Sequence, residues 1–289
     1  MAATYEDRYW TSSDGLDLHY RNYAAPDGAA AKLPVLCMHG LTRNARDFAA
    51  LADGLAATRR VIVPEMRGRG LSDYAPDSDT YSPVTYVQDV EKLLAEEGIT
   101  RFAVVGTSMG GLMTMLMAAA NPGRMSAVVM NDIGPVIDPA GLSRISGYVG
   151  QGRSYPTWVH AARGLAEAQA AAFPDYDLDQ WLEMAKRTMV VTQNGRISFD
   201  YDMAIAEPFA KPGNAAPANL WTAFDALAGV PMLLVRGGLS DLLSEDTVAQ
   251  MGQRNPVMRT VTVPRVGHAP TLDEAEVRAA ILALLDAAE

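Results

Sequence analysis

Short apolar runs rich in β-branched residues alternate with longer segments of helical spacing along the first 135 residues. The short runs have the length and composition of strands that are buried on both faces of a sheet. The longer segments place apolar residues three or four positions apart, as in Phe48, Leu51 and Leu55. This alternation predicts an α/β fold with a mostly parallel sheet. The predicted strands, including two later in the chain, are Leu18–Ala24, Pro34–His39, Arg60–Glu65, Arg101–Gly106, Ser126–Asp132, Val230–Gly238 and Met258–Pro264.

The pattern changes between Pro135 and Ala218, where clear β-runs become rare. Aromatic residues and methionines occur there among polar residues, which predicts a mainly helical insertion. We expect most of these large side chains to form the core of the insertion rather than the wall of a pocket. They are Tyr148, Tyr155, Trp158, Phe173, Trp181, Met184, Met189, Phe199 and Tyr201. After the insertion the strand and helix pattern resumes and ends in a terminal helix.

One serine lies between two glycines at the junction of a predicted strand and a predicted buried helix. Gly106, Ser108 and Gly110 match the pattern Gly-x-Ser-x-Gly, and the order strand, turn, helix is that of a nucleophile elbow. Such a turn strains the backbone and leaves no room for side chains at the glycines. The hydroxyl of Ser108 would then stand at the carboxyl end of the strand, where α/β sheets bind ligands. A purely structural alternative is that the glycines only mark the junction.

A serine needs a base before it becomes a good nucleophile. The chain has four histidines: His19, His39, His160 and His268. Around a nucleophile elbow the partners follow in the order Ser, acid, His, which leaves His160 and His268. His268 lies between the last predicted strand and the last predicted helix, so its loop could bring the imidazole to Ser108. We predict His268 as the base, with a role in capping the final helix as the structural alternative.

Two aspartates are candidates for the acid that orients the base. Asp241 follows the strand Val230–Gly238, and Asp132 ends the strand before the turn Ile-Gly-Pro-Val. A carboxylate at either place could hold the imidazole tautomer and stabilise the imidazolium. Asp241 has the more usual position and is the first choice, with Asp132 second. The structural alternative for Asp132 is a turn residue that binds the backbone after it.

An oxyanion hole needs two backbone N–H donors. One should be Met109, the residue after the nucleophile, and the other Leu41, in the turn after Pro34–His39. Gly40 would let the backbone come close to the substrate. We expect His39 to brace this turn by hydrogen bonding and to take no part in proton transfer.

Composition narrows the function further. The 289 residues are 49% hydrophobic, enough for a sizeable core, and 34 acidic against 24 basic residues give a net charge of −10. Such a surface would repel phosphate backbones and anionic lipid, so we expect neither nucleic acid nor a membrane as partner. The start of the sequence lacks the basic and apolar regions of a secretory leader, and a cytoplasmic protein is expected.

Metal and cofactor chemistry find no support in the sequence. Cys37 is the only cysteine, so thiolate zinc sites are excluded and a small core residue is expected. The histidines lack the spacing of helical metal ligands. The stretch Arg67–Gly70 lacks the spacing and the Lys-Ser/Thr end of a phosphate-binding loop, so we interpret it as a turn. No metal and no cofactor are expected.

The sequence as a whole resembles the capped, single-domain α/β-hydrolases, over nearly its full length. The resemblance rests on motifs in the right order: Met38–Asn44, Pro64–Asp73, Val105–Gly111, Arg236–Ser244 and Val266–Pro270. It implies an eight-stranded, mostly parallel sheet flanked by helices. Residues 1–134 and 219–289 would form this core domain, and residues 135–218 a helical cap.

The resemblance also implies roles for individual residues. The positions of Ser108, Asp241 and His268 match the family's catalytic triad, and the N–H groups of Leu41 and Met109 match its oxyanion hole. Glu65 departs from the pattern, since relatives usually have Asp there, but that residue is structural in the family. The change therefore casts no doubt on the chemistry.

The expected function is a cofactor-independent serine hydrolase that cleaves a carboxylic ester of a short to medium acyl chain or an aromatic acid through an acyl-enzyme. Alternatives on the same residues are hydrolysis of a carbon–carbon bond in ring-cleavage diketones and lactone hydrolysis. A non-catalytic ligand-binding protein of the same fold is a further alternative. Ser108 argues against the dehalogenases and epoxide hydrolases, whose nucleophile is Asp. The expected partner is a small ester-like molecule, bound by a monomer or homodimer.

Overall fold

The computed structural model describes residues 5–26, 32–210 and 219–288. In this part of the chain the strands are β1 (Tyr5–Thr11), β2 (Asp17–Tyr23), β3 (Val35–Met38), β4 (Val61–Pro64), β5 (Phe102–Thr107), β6 (Met125–Asn131), β7 (Ser154–Tyr155), β8 (Met189–Val191), β9 (Ile197–Phe199), β10 (Met232–Gly237) and β11 (Met258–Val263). Eight of them form one sheet in the order β1-β2-β4-β3-β5-β6-β10-β11. β2 is antiparallel to β1 and β4, and the remaining neighbours are parallel. The predicted mostly parallel, eight-stranded sheet is confirmed.

β1 is the strand that the apolar pattern did not predict. Its seven residues include Glu6, Asp7 and Arg8, and only Trp10 is buried. β1 lies at the edge of the sheet and pairs with β2 alone. An edge strand of this kind can be largely polar, so it lacks the apolar run that marks the central strands.

Helices cover both faces of the sheet. The helices of the described residues, including those of the segment after β6, are α1 (Ala49–Ala56), α2 (Pro83–Glu96), α3 (Met109–Ala120), α4 (Pro139–Tyr148), α5 (Trp158–Gln169), α6 (Leu178–Thr188), α7 (Glu207–Ala210), α8 (Trp221–Asp225), α9 (Glu245–Arg254) and α10 (Ala275–Ala287), with 3-10 turns at Ala45–Phe48, Ser78–Thr80 and Met203–Ala206. Within the described residues, no helix has both the length and the apolar character needed to cross a bilayer.

The side chains of β3 show how the sheet divides the core into two layers. Val35 and Cys37 belong to the apolar cluster that contains α1 and α10. Leu36 and Met38 belong to the cluster that contains α2 and α3. Alternation along a strand sends successive side chains to opposite faces. Cys37 is fully buried, as expected of a small core residue, and burial raises the pKa of its thiol.

The segment that follows β6 leaves the sheet and builds a layer of its own. It contains α4, α5 and α6, which lie within the range where a helical insertion was predicted. It also contains a three-stranded antiparallel sheet in the order β7-β9-β8, which the sequence pattern did not predict because these strands have only two or three residues. A separate apolar cluster around Trp181 and Phe173 holds the segment together. Its predicted end at residue 218 lies outside the described residues.

Candidate active site

Ser108 occupies a strained turn between β5 and α3. Its backbone has φ 52° and ψ −113°, a region that L-residues seldom adopt. A Cβ at Gly106 would lie 2.6 Å from the carbonyl carbon of Gly110, and one at Gly110 would lie 2.1 Å from the carbonyl oxygen of Met38. Side chains at both positions are therefore excluded by backbone contacts. The glycines allow the turn, and the turn exposes Ser108 at the carboxyl end of β5.

A chain of hydrogen bonds joins Ser108, His268 and Asp132. Nε2 of His268 lies 2.8 Å from Oγ of Ser108, and Nδ1 lies 2.8 Å from Oδ2 of Asp132. Because a carboxylate can only accept, Nδ1 carries the ring proton and Nε2 is left to accept the proton of the serine hydroxyl. The structure thus brings together the predicted nucleophile, the predicted base and the second-choice acid.

Asp132 is held by donors from the neighbouring strand β10 and from the loop after it. The backbone N–H of Gly237 donates to Oδ1 at 2.8 Å, and the hydroxyl of Ser240 donates to Oδ2 at 2.7 Å. The side chain is fully buried, and its backbone has φ 55°. The carboxylate therefore points across to β10 and the imidazole. The structural alternative for Asp132 was a turn residue that binds the backbone just after it. The contacts of its carboxylate are instead with Gly237, Ser240 and His268.

The expectation that Asp241 lies against the imidazole is wrong. Nε and Nη2 of Arg144, on α4, bind the two carboxylate oxygens of Asp241 at 2.5 and 2.8 Å. The hydroxyl of Ser240 accepts the N–H groups of Leu242 and Leu243, and this tight turn directs Ser240 towards Asp132 and Asp241 towards α4. The hydrogen bonds and charge of Arg144 outweigh partial burial and lower the pKa of Asp241.

Hydrogen bonds hold the loop of His268 both to the main sheet and to the inserted segment. The side-chain amide of Asn131 donates to the carbonyl oxygen of Pro270 at 2.9 Å and to Oγ1 of Thr107 at 3.1 Å. The N–H of Gly267 donates to the carbonyl oxygen of Ala172 in the inserted segment. Sequence reasoning missed Asn131 and Ser240, although each is adjacent in sequence to a candidate acid.

His39 braces the turn after β3, as expected. Its Nδ1–H donates to the carbonyl oxygen of Gly40 at 2.7 Å, and its Nε2 accepts the N–H of Met66 at 3.0 Å. Complete burial lowers the pKa of His39 to about 4, so the ring is neutral near pH 7. Both ring nitrogens are engaged in holding the backbone.

Two backbone N–H groups were predicted as oxyanion donors, those of Met109 and Leu41. Met109 is the first residue of α3, so its N–H belongs to the turn that has no intrahelical acceptor. The carbonyl of Gly40 is held by His39, and because a trans peptide points its C=O and N–H in opposite directions, the N–H of Leu41 points away from His39. Leu41 and Ser108 line the same cavity.

The Arg-Gly-Arg-Gly stretch after β4 is a turn whose guanidinium groups bind protein atoms. Arg69 donates from Nε to the carbonyl oxygen of Leu41 at 2.9 Å and from Nη1 to the hydroxyl of Tyr86 at 2.9 Å. Arg67 pairs with Asp89 at 2.8 Å. The interpretation of this stretch as a turn is confirmed, and Arg69 supports the peptide that follows Leu41.

Glu65 has the structural role that was expected of it. Its carboxylate accepts from Nδ1 of His19 at 2.8 Å and from the N–H groups of Ala45 and Leu71 at 3.0 and 2.7 Å. These donors outweigh burial, which acts to raise the pKa, and keep the pKa of Glu65 below its ordinary value. Glu65 is thus a buried acceptor that holds His19 and two backbone N–H groups.

The remaining histidines lie apart from Ser108. His19 is buried between Glu65 and Asp7, and His160 is an exposed residue near the start of α5 that pairs with Thr157. Within the described residues, no three His, Cys, Asp or Glu side chains are grouped in a way that could hold a metal ion.

A cavity of about 310 Å³ opens beside Ser108 and His268, between the sheet and the inserted segment. Several of the large residues of the insertion line it rather than only filling their own core: Tyr148, Tyr155, Phe173, Met184, Phe199 and Tyr201. Trp158 and Trp181 pack within the insertion. The volume of the cavity is at the lower end of the range for small-molecule sites. Its lining of polar and apolar residues suits a small, partly polar molecule.

Comparisons with known proteins agree with this fold. A family model described as alpha/beta hydrolase fold matches residues 34–275. A curated 3-hydroxybutyrate-oligomer hydrolase of Cupriavidus necator is 36% identical over 90% of this chain and 91% of its own length. An sn-1-specific diacylglycerol lipase of Mus musculus is 26% identical over 86% of this chain and 78% of its own. The crystal structure of an alpha/beta hydrolase from Novosphingobium aromaticivorans superposes with a TM-score of 0.94 at 59% identity, covering 99% of both chains.

Proposed function

The chain belongs to the alpha/beta hydrolase fold family and is a hydrolase, and we propose that it is a serine hydrolase that cleaves carboxylic esters. The hydrogen-bonded chain from Ser108 through His268 to the buried Asp132 is the observation that carries the proposal. A serine hydroxyl hydrogen-bonded to an imidazole that is itself oriented by a carboxylate is the arrangement needed for nucleophilic attack on an acyl carbon.

In the proposed mechanism, Oγ of Ser108 attacks the ester carbonyl while Nε2 of His268 takes its proton. Asp132 holds the imidazole in the required tautomer and stabilises the imidazolium. The N–H groups of Leu41 and Met109 donate hydrogen bonds to the carbonyl oxygen as negative charge develops on it. His268 then gives its proton to the leaving alcohol, and the same imidazole deprotonates the water that releases the acid and regenerates Ser108.

The preference for a short to medium acyl group is supported by the cavity and by the relatives. A space of about 310 Å³ with aromatic and methionine side chains can hold an acyl group of a few carbons. One relative is named for hydrolysis of oligomers of 3-hydroxybutyrate, a short hydroxy acid, and another for hydrolysis of a diacylglycerol. Oligomers of a hydroxy acid and acylglycerols are joined by ester bonds.

The test is Ser108→Ala assayed on p-nitrophenyl esters of graded acyl length. We expect kcat to fall by roughly 10⁴-fold or more, because loss of the nucleophile removes the acyl-enzyme route. A fluorophosphonate probe should label the wild-type protein and leave the Ser108→Ala variant unlabelled. The matched control is Ser146→Ala, at an exposed serine of α4, which should keep both turnover and labelling.

The same purified protein should be tested on lactones and on vinylogous 1,5-diketones. We expect ester turnover to exceed both. Diketone or lactone turnover well above that of every ester would replace the ester assignment while leaving Ser108 as nucleophile. Ester turnover by Ser108→Ala close to that of the wild type would overturn the proposal altogether.

A further inference from the structure

The stem of Arg43 lies beside the nucleophile, with only a glycine between them. A Cβ at Gly40 would lie 3.3 Å from Cγ of Arg43 and 3.7 Å from Cβ of Ser108. Arg43, Ser108 and His268 all line the cavity. An arginine therefore lines the same cavity as Ser108, with its stem close to the nucleophile.

The guanidinium of Arg43 is held on one side and open on another. Nε and Nη2 each donate to a carboxylate oxygen of Asp47 at 2.6 Å. This bidentate pair fixes the plane of the guanidinium and keeps the pKa of Arg43 raised against the effect of burial. Nη1 faces the sulfur of Met184 at 3.1 Å. A thioether is a weak acceptor, so Nη1 retains donor capacity for a stronger acceptor, and both Arg43 and Met184 line the cavity.

The charged groups along the cavity favour a ligand with acceptor oxygens. Among the described residues, its lining contains the guanidinium-bearing residues Arg43, Arg153 and Arg187 but a single carboxylate, that of Asp47. Asp47 balances the charge of Arg43, so the pair as a whole is neutral. A neutral pair with a spare N–H suits a hydroxyl or ester oxygen.

We propose that Arg43 determines specificity by donating from Nη1 to an oxygen on the acyl chain, close to the scissile carbonyl. The preferred substrates are then esters of oxygen-bearing short acids, such as 3-hydroxyacyl esters, rather than plain alkanoyl esters. This inference rests on the proposed ester hydrolysis at Ser108. Arg43 contacts the substrate through its guanidinium, and Asp47 positions it.

The alternative role for Arg43 is purely structural. Its contact with Met184 of α6 links the turn after β3 to the inserted segment. A structural link would affect all esters equally, whereas a specific donor would affect only those with an oxygen within its reach. A matched pair of substrates separates the two roles.

The experiment compares esters of 3-hydroxybutyric acid and 3-methylbutyric acid with the same p-nitrophenyl leaving group. The two acyl groups differ only by a hydroxyl in place of a methyl. Each enantiomer of the hydroxy ester is assayed separately, and kcat/KM is divided by the uncatalysed rate to remove intrinsic reactivity. For the wild type we expect the corrected kcat/KM of one hydroxy enantiomer to exceed that of the 3-methylbutyrate ester by about tenfold. The reason is that the donor is charged and partly shielded from water.

The variants are Arg43→Met, which keeps an unbranched side chain of similar length, and Arg43→Lys, which keeps the positive charge without the planar guanidinium. We expect the preference to fall to about one in Arg43→Met and to be retained only in part in Arg43→Lys. The control is Arg187→Met, which removes another cavity arginine, one that pairs with Asp273. Arg187→Met should keep the wild-type preference whatever its overall rate.

The outcomes distinguish this inference from the proposed function. Equal turnover of both esters by the wild type, or an unchanged preference in Arg43→Met, would refute the role of Arg43 and leave ester hydrolysis standing. Absence of turnover on both esters, together with no labelling of Ser108, would refute ester hydrolysis itself. Arg43→Met leaves the carboxylate of Asp47 unpaired and could be inactive on both esters. In that case the double variant R43M/D47N, which also removes this carboxylate, replaces Arg43→Met in the assay. The preference of the wild type remains a test by itself.

Discussion

Two carboxylates at the carboxyl ends of neighbouring strands have opposite environments. Asp132 follows β6, is fully buried, and binds Nδ1 of His268. Asp241 follows β10, is 36% exposed, and binds Arg144 of the inserted segment. β6 and β10 are adjacent and parallel, so both carboxylates start from the same edge of the sheet. Position at a strand end therefore brings an acid near the imidazole but does not decide which acid reaches it.

The two carboxylates differ because their surroundings supply different hydrogen-bond donors. The loop after β10 sends the hydroxyl of Ser240 to Asp132, where it acts as a donor to the carboxylate. The neighbouring Asp241 finds a guanidinium on α4 instead. A buried carboxylate needs donors around it, and Asp132 has three of them, from Gly237, Ser240 and His268.

Asp132→Asn should have the largest effect of the variants that compare Asp132 with Asp241. The amide no longer fixes the proton on Nδ1, so the imidazole can adopt the tautomer that cannot accept from Ser108. We expect kcat/KM on a p-nitrophenyl ester to fall by roughly 10⁴-fold. Thermal unfolding should show that the variant is folded. A loss smaller than that of Asp241→Asn would reverse the assignment of the acid.

Ser240→Ala should have an intermediate effect. It removes one donor to Oδ2 of Asp132 and the acceptor for the N–H groups of Leu242 and Leu243, so the carboxylate is held less firmly. We expect kcat/KM to fall by about fivefold, the equivalent of one ordinary hydrogen bond. Ser244→Ala in the same loop is the control, since Ser244 caps α9 and its loss should reduce the free energy of unfolding rather than turnover. An unchanged kcat/KM in Ser240→Ala would show that this donor does not matter to Asp132.

Asp241→Asn should have the smallest effect on catalysis. The ion pair with Arg144 is about one-third exposed on both sides, so we expect less than about 1 kcal/mol of lost stability and little change in turnover. Arg144 lowers the pKa of Asp241 below its ordinary value of 3.8, so the ionised form is the stabilising one. The difference in unfolding free energy between wild type and variant should be present near neutral pH and disappear as the pH falls below the ordinary value. A difference that grows on acidification would contradict this assignment.

Much of the fold and part of the site were predictable from local patterns. Seven of the eight strands of the main sheet, β2 to β6, β10 and β11, were predicted from their apolar runs. Gly106, Ser108 and Gly110 follow the pattern of a nucleophile turn, and the structure contains that turn. The short strands β7, β8 and β9 and the edge strand β1 were not predicted, since pairing with a neighbour forms them rather than any apolar pattern. The cavity lining was also misjudged in part, because large side chains of the insertion, such as Tyr148 and Phe199, face both their own core and the cavity.

The sequence by itself determined the strained turn at Ser108, because only glycine can occupy positions where a Cβ would meet backbone atoms 2.1 to 2.6 Å away. It also determined the loop of His268, since a short connection after the last strand must lie at the same edge of the sheet. Only the tertiary structure decided that Asp132 is the carboxylate on the imidazole and that Arg43 stands beside Ser108. Those contacts join residues that are far apart in the chain, and they depend on side-chain directions and on partners such as Arg144 and Asp47 that no local pattern specifies.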